Sequence, residues 1–72
     1  MEIEYDGEVD AAFIWLGARP DDRSLGVANE LWPEELKGKI GLLFSADSRL
    51  VGLEVLEATN RLPEAVLDAV RK

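Results

Sequence analysis

The sequence predicts an α+β fold, an antiparallel sheet of four to five strands with one C-terminal helix packed on one face. Two observations carry this. Up to about Glu57, apolar residues alternate or run in short blocks separated by turn residues, which is strand periodicity. After Ala58 the period changes, and Leu62, Val66, Ala69 and Val70 fall on one stripe at helical spacing.

The first strand is expected over about 2–5, where Ile3 and Tyr5 alternate with Glu2 and Glu4; that half-polar pattern suits a sheet edge. Asp6 and Gly7 then supply turn residues. The second strand, about 11–17, is apolar on both sides, with Ala12, Ile14 and Leu16 pointing one way and Ala11, Phe13 and Trp15 the other. A polar loop rich in Asp and Pro leads to a third strand at about 24–31, with Leu25, Val27 and Leu31 inward, which Pro33 ends because proline cannot donate to a ladder. Residues 33–39 form a connector that has room for one helical turn. A fourth strand is expected at about 40–45, a tight turn at 46–49, and a fifth strand at about 50–57. In the fifth, Val51, Leu53 and Val55 share one face and Leu50, Gly52, Glu54 and Leu56 the other. Gly52 inside a strand signals a bulge or a close approach by another backbone. The helix runs over about 63–71. Pro63 suits its first position, and Glu64 near the start and Arg71 with Lys72 at the end complement its dipole.

Seventy-two residues make a single small α+β domain, and so small a domain commonly needs a staple or a partner. There is no Cys and no His, which removes disulfides, thiolate chemistry and the commonest metal ligand. No apolar run reaches the roughly 18–20 residues of a membrane helix, and no basic segment leads into an apolar stretch at the N-terminus. A cytoplasmic location without membrane contact is the expectation. The net charge is −7 and uneven. Residues 1–35 hold ten acids against Arg19 and Arg23, a net of −8, whereas residues 36–72 carry +1. A phosphate backbone would be repelled by the first half, so nucleic acid is not an expected partner, and a basic protein would be attracted.

Four carboxylates invite a chemical reading. Asp6, Glu8 and Asp10 alternate like the start of a calcium loop, but the positions that should hold Gly and a bidentate Glu are Ala11 and Gly17, so the segment reads as a hairpin turn. Glu54, flanked by apolar neighbours, could act as a general acid or base if Asp10 came close. Asp6, Asp10 and Glu54 are therefore the weak catalytic candidates, for a carboxylate-dependent hydrolase. No His or Cys activates any serine or threonine, the glycines lack phosphate-loop order, and neither a metal nor a cofactor is expected. One short helix covers one sheet face, yet the strands at 11–16, 40–45 and 50–56 are apolar on both. A second copy closing a two-fold dimer is the simplest cover, with Phe13, Trp15, Leu43 and Leu56 as the expected interface residues.

The stretch "YDGEVDAAFIWL", followed some forty positions later by "SRLVGLEVLEA", resembles the YuzE-like family of small bacterial domains of unknown function. Tyr5, Asp6, Asp10, Ala11, Val51, Gly52, Glu54 and Leu56 match its pattern, with Leu53 for the usual Ile. Ser48 stands where the family usually has a turn glycine, and Leu43 and Phe44 are apolar where an acid is common. The resemblance implies a small α+β domain without an established activity. Such families often sit beside a second small gene in toxin–antitoxin-like pairs, which implies a partner protein. The leading expectation is thus a non-enzymatic domain that self-associates or binds protein. An antitoxin-like module with an acidic N-terminal hairpin is the alternative, and the hydrolase comes third.

Overall fold

A computed structural model describes residues 1–17 and 26–70. Five strands, β1 (Glu2–Asp6), β2 (Ala11–Trp15), β3 (Asn29–Leu31), β4 (Ile40–Phe44) and β5 (Leu50–Leu56), are followed by two helices, α1 (Ala58–Arg61) and α2 (Glu64–Val70). Every strand pair is antiparallel, and the order across the sheet is β1-β2-β5-β4-β3. The longest strand, β5, therefore lies in the middle, which is why it is apolar on both sides. The half-polar β1 lies at an edge, where only one neighbour must be satisfied. No helix among the described residues is long and apolar enough to cross a membrane.

The register sorts the side chains into cross-strand rows. On one face, Tyr5, Ala12, Val55 and Ile40 form a row, and Ile3, Ile14, Leu53, Leu42 and Leu31 form the next. The first row is the core. Ala12 and Val55 are buried with Ala58 of α1, and Tyr5, Ile40 and Leu62 pack around them. Leu67 of α2 is fully buried, and α2 lies against β1. A four-residue helix and a seven-residue helix are both too short to stand alone, so this docking is what holds them.

On the opposite face, Glu2, Trp15, Gly52, Leu43 and Glu30 make one row and Glu4, Phe13, Glu54 and Gly41 the next. Gly52 is required here: a Cβ would sit 2.8 Å from the Ile14 carbonyl oxygen and 2.9 Å from the Trp15 ring. Trp15 lies flat over that gap, stacked on Phe13 with centroids 5.8 Å apart, and its indole N–H donates to Glu4 Oε1 at 2.7 Å. Trp15 is 3% exposed and Leu43 0%. Much of the face expected to need a second chain is thus closed within one chain. On the helix side, Ile3, Ile14, Leu53 and Leu42 stay half-buried, and Leu31 at the end of their row is 55% exposed.

Two elements differ from expectation. The third strand is only Asn29–Leu31 and wholly exposed, with Leu31 at 55%, while positions 24 and 25 fall outside the described residues. An edge strand pairs with one neighbour and needs no inward side chains, so an apolar pattern could not set its length. The tail forms two helices rather than one at 63–71, since residues 58–61 already turn helical before Pro63. The connector contains the one turn its composition allows, a 3-10 turn over Glu34–Leu36.

The β4–β5 turn is closed by Ser45 and Arg49. The Ser45 N–H donates to the Arg49 carbonyl at 2.9 Å, and the Ser45 hydroxyl donates to Asp47 Oδ1. Chiefly through that hydroxyl, Asp47 is held below the usual carboxylate range. Its contribution to stability is therefore present above the unfolded carboxyl pKa and fades as pH falls through the lowered folded value. Ser48 sits at φ 67°, a left-handed position that glycine fills without strain.

Three outcomes follow in denaturation and titration experiments. Gly52→Ala is expected to cost about 1–3 kcal/mol in urea unfolding, since the new methyl meets backbone. Gly41→Ala costs less, because its Cβ would meet the half-exposed Trp32 ring at 2.6 Å, which can swing outward. In an NMR titration, Ser45→Ala should raise the Asp47 pKa toward the unperturbed carboxylate value.

Candidate functional site

The acidic hairpin is built from local rules. Asp6 Oδ1 accepts the Glu8 N–H at 3.0 Å, a side chain mimicking a turn. Asp10 then adopts a left-handed conformation, φ 54°, which Asp tolerates better than most residues. That twist sends its carboxylate to two distant segments. Oδ1 accepts the Tyr5 hydroxyl at 2.8 Å and the Thr59 N–H at 3.2 Å, while Oδ2 accepts the Thr59 hydroxyl at 2.7 Å. The Asp10 carbonyl accepts the Ala58 N–H at 2.9 Å. One residue thus joins β1, the hairpin and the first turn of α1, supplying from 49 positions away a cap for helix N–H groups that otherwise lack partners. Glu57, at φ 53° before α1, adds ion pairs to Lys39 at 3.1 Å and Arg61 at 3.9 Å.

Glu54 lies elsewhere. It sits in the middle of β5, half-buried, between Phe13 of β2 and Gly41 of β4. Asp10 precedes Phe13 by three residues, about 10 Å along a strand. Asp6 is two strands across and two residues along from Glu54, about 12 Å. The three weak catalytic candidates are therefore not brought together. Among the described residues, no group of three or more acids could hold a metal ion.

The expected interface residues divide. Trp15 and Leu43 are buried within the single chain, while Phe13 and Leu56 are half-buried on the face opposite the helices. Sequence reasoning missed two features. One is Thr59 as the partner of Asp10, for which no local signal exists. The other is the partly exposed row on the helix side, in which Leu31 and Leu42 join Ile14 and Leu53. The alternation shows which residues share a face within each strand, but only the register aligns them.

Asp10→Asn, which keeps the tolerance for this backbone conformation, is expected to lose about 1–2 kcal/mol of stability in chemical denaturation. Tyr5→Phe should lose about 1 kcal/mol, and the double variant less than the sum, because both act on one carboxylate.

The matching positions acquire physical roles from this geometry: Tyr5 and Asp10 form the tie to α1, Asp6 the turn, and Gly52 the seat of Trp15. No curated protein and no solved structure matches the chain. A family model described as a protein of unknown function (DUF2283) matches residues 2–58, from the start of β1 to the first residue of α1. That span holds the whole sheet, and the chain belongs to the DUF2283 family.

Proposed function

We propose that this chain is a non-enzymatic protein-interaction domain that pairs with a second copy of itself through the partly exposed apolar row on the helix side of its sheet. The observation that carries the reading is the row itself. Ile3, Ile14, Leu53, Leu42 and Leu31 are aligned from one edge to the other. None of the five is fully buried, and none is charged. Leu16, one alternation beyond Ile14, adds a side chain 44% exposed. Covering a large aliphatic side chain yields about 1.5–3 kcal/mol, so a few such residues supply a useful share of a small interface. Charge favours the same surface. A chain of net −7 meets its copy at least cost where carboxylates are absent, whereas the opposite face carries Glu2, Glu4, Asp6, Glu30 and Glu54. The separation of Asp6, Asp10 and Glu54 makes carboxylate hydrolysis the weaker reading. A cytoplasmic location, with neither nucleic acid nor membrane as partner, belongs to the same proposal.

A second reading has its own observation. The β1–β2 hairpin exposes Asp6 and Glu8 beside Val9, which is 66% exposed, an acidic tip with an apolar contact. That tip suits an antitoxin-like module that binds a basic protein. The narrower YuzE-like likeness supports this reading through its motif residues alone.

Light-scattering chromatography over a range of concentrations tests the dimer. We expect the wild type to run as a dimer, and Leu31→Glu, at an exposed position, to run as a folded monomer with an unchanged far-UV spectrum. A wild type that stays monomeric at the highest concentration would overturn the proposal.

A further inference from the structure

The free edge of the sheet carries an inference separate from the apolar row. β1 lies at the end of the strand order and pairs with β2 over five unbroken positions, Glu2 to Asp6. An unpaired edge of that length is a template for another strand, and proteins usually blunt such edges with lysine, proline, bulges or very short strands. β1 has no lysine, proline or bulge, and its edge is guarded by charge alone, the three acids Glu2, Glu4 and Asp6. The other edge, β3, is three residues long and is followed by Trp32 and Pro33, so it is blunted in the ordinary way.

The side chains of β1 decide what can pair there. Glu2, Glu4 and Asp6 fall on one face and Ile3 and Tyr5 on the other. Glu2 and Asp6 are exposed, and Glu4 is half-buried beneath the Trp15 indole that it binds. A second copy adding antiparallel about Glu4 would set Glu4 against Glu4 and Glu2 against Asp6. Like charges directly opposite each other are destabilising, so the edge is closed to its own copy. The same three acids favour a strand with Lys or Arg at alternate positions. Ile3 and Tyr5 lie toward the core row, and beside them apolar residues suit the intervening positions. The −8 charge of residues 1–35 would speed the encounter.

We propose that β1 is a docking edge that takes an extended basic segment of a partner protein, with Lys or Arg at alternate positions, as a sixth strand of the sheet. Main-chain hydrogen bonds along the edge would give affinity, and the acids would give sign selectivity. The edge and the apolar row share Ile3, but peptide binding tests the edge and oligomeric state tests the row, so each can fail without the other.

The test titrates isotope-labelled full-length protein with an acetylated, amidated peptide of four Lys-Val repeats, followed by amide NMR shifts. Expected are shifts concentrated at residues 2–6, binding that weakens as salt rises, and no binding of the matching Glu-Val peptide. Methylating alternate backbone nitrogens of the Lys-Val peptide, in each of the two possible sets, leaves its charge intact. One set should weaken binding by about tenfold, the loss of roughly two hydrogen bonds. Glu2→Lys, at an exposed position, should weaken binding in the same direction. Shifts scattered over the other acidic surfaces, or equal binding by both methylated peptides, would reduce the effect to charge adhesion and overturn strand addition.

Discussion

The carboxylate of Asp10 is the tie on which the remaining arrangement depends. It accepts from Tyr5 and twice from Thr59, and through Thr59 it fixes where the chain leaves the sheet. Neither short helix would form in isolation, and among the described residues Ala58 and Leu62 are what the helical segment packs on the core row. Each hydrogen bond is worth only about 1 kcal/mol, but together they place a dozen residues over the sheet. The left-handed backbone of Asp10 and that of Glu57 bracket the same corner. Local strain is accepted there because the docking it permits buries apolar surface. A carboxylate that sequence reading counted among the catalytic candidates is thereby employed in structure.

The second constraint is the missing side chain at Gly52. Its bare Cα lets Trp15 lie against the sheet, and Trp15 in turn places its indole N–H on Glu4. The face opposite the helices therefore closes over Trp15 and Leu43 without a second chain. What this leaves open determines the functional reading. On the helix side Leu42 is half-buried and Leu31 exposed, and β1 ends the strand order. One open surface is apolar and uncharged, suited to a copy of the chain; the other is acidic and suited to a basic strand.

Much of this was legible in the residues. The alternation of Ile3 and Tyr5 with Glu2 and Glu4 placed β1 at an edge, the two-faced apolarity of β5 suited the centre of the sheet, and Gly52 signalled a close approach. The change of period after Ala58 announced helix. What could not be read was set by long-range pairing. The Asp10–Thr59 contact spans 49 positions and has no local pattern, so the turn at 58–61 looked like loop. The length of β3 was overestimated because apolar residues before it were read as strand, though an edge strand places little demand on them. Of the residues expected at an interface, Trp15 and Leu43 are buried within the chain and Phe13 and Leu56 are half-buried. Each strand showed its two faces, but only the register aligned Ile14, Leu53, Leu42 and Leu31 in one row.

The most direct measurement is native-state amide hydrogen exchange of the wild type against Asp10→Gly, a variant that keeps the backbone freedom of position 10 and removes the carboxylate. If the tie is what docks the C-terminal segment, the amides from Thr59 to Val70 lose protection selectively, while those of β2, β5 and β4 keep theirs. Protection that is unchanged at the helices, or lost evenly over sheet and helices alike, would contradict the account and return Asp10 to the pool of residues whose purpose is chemical.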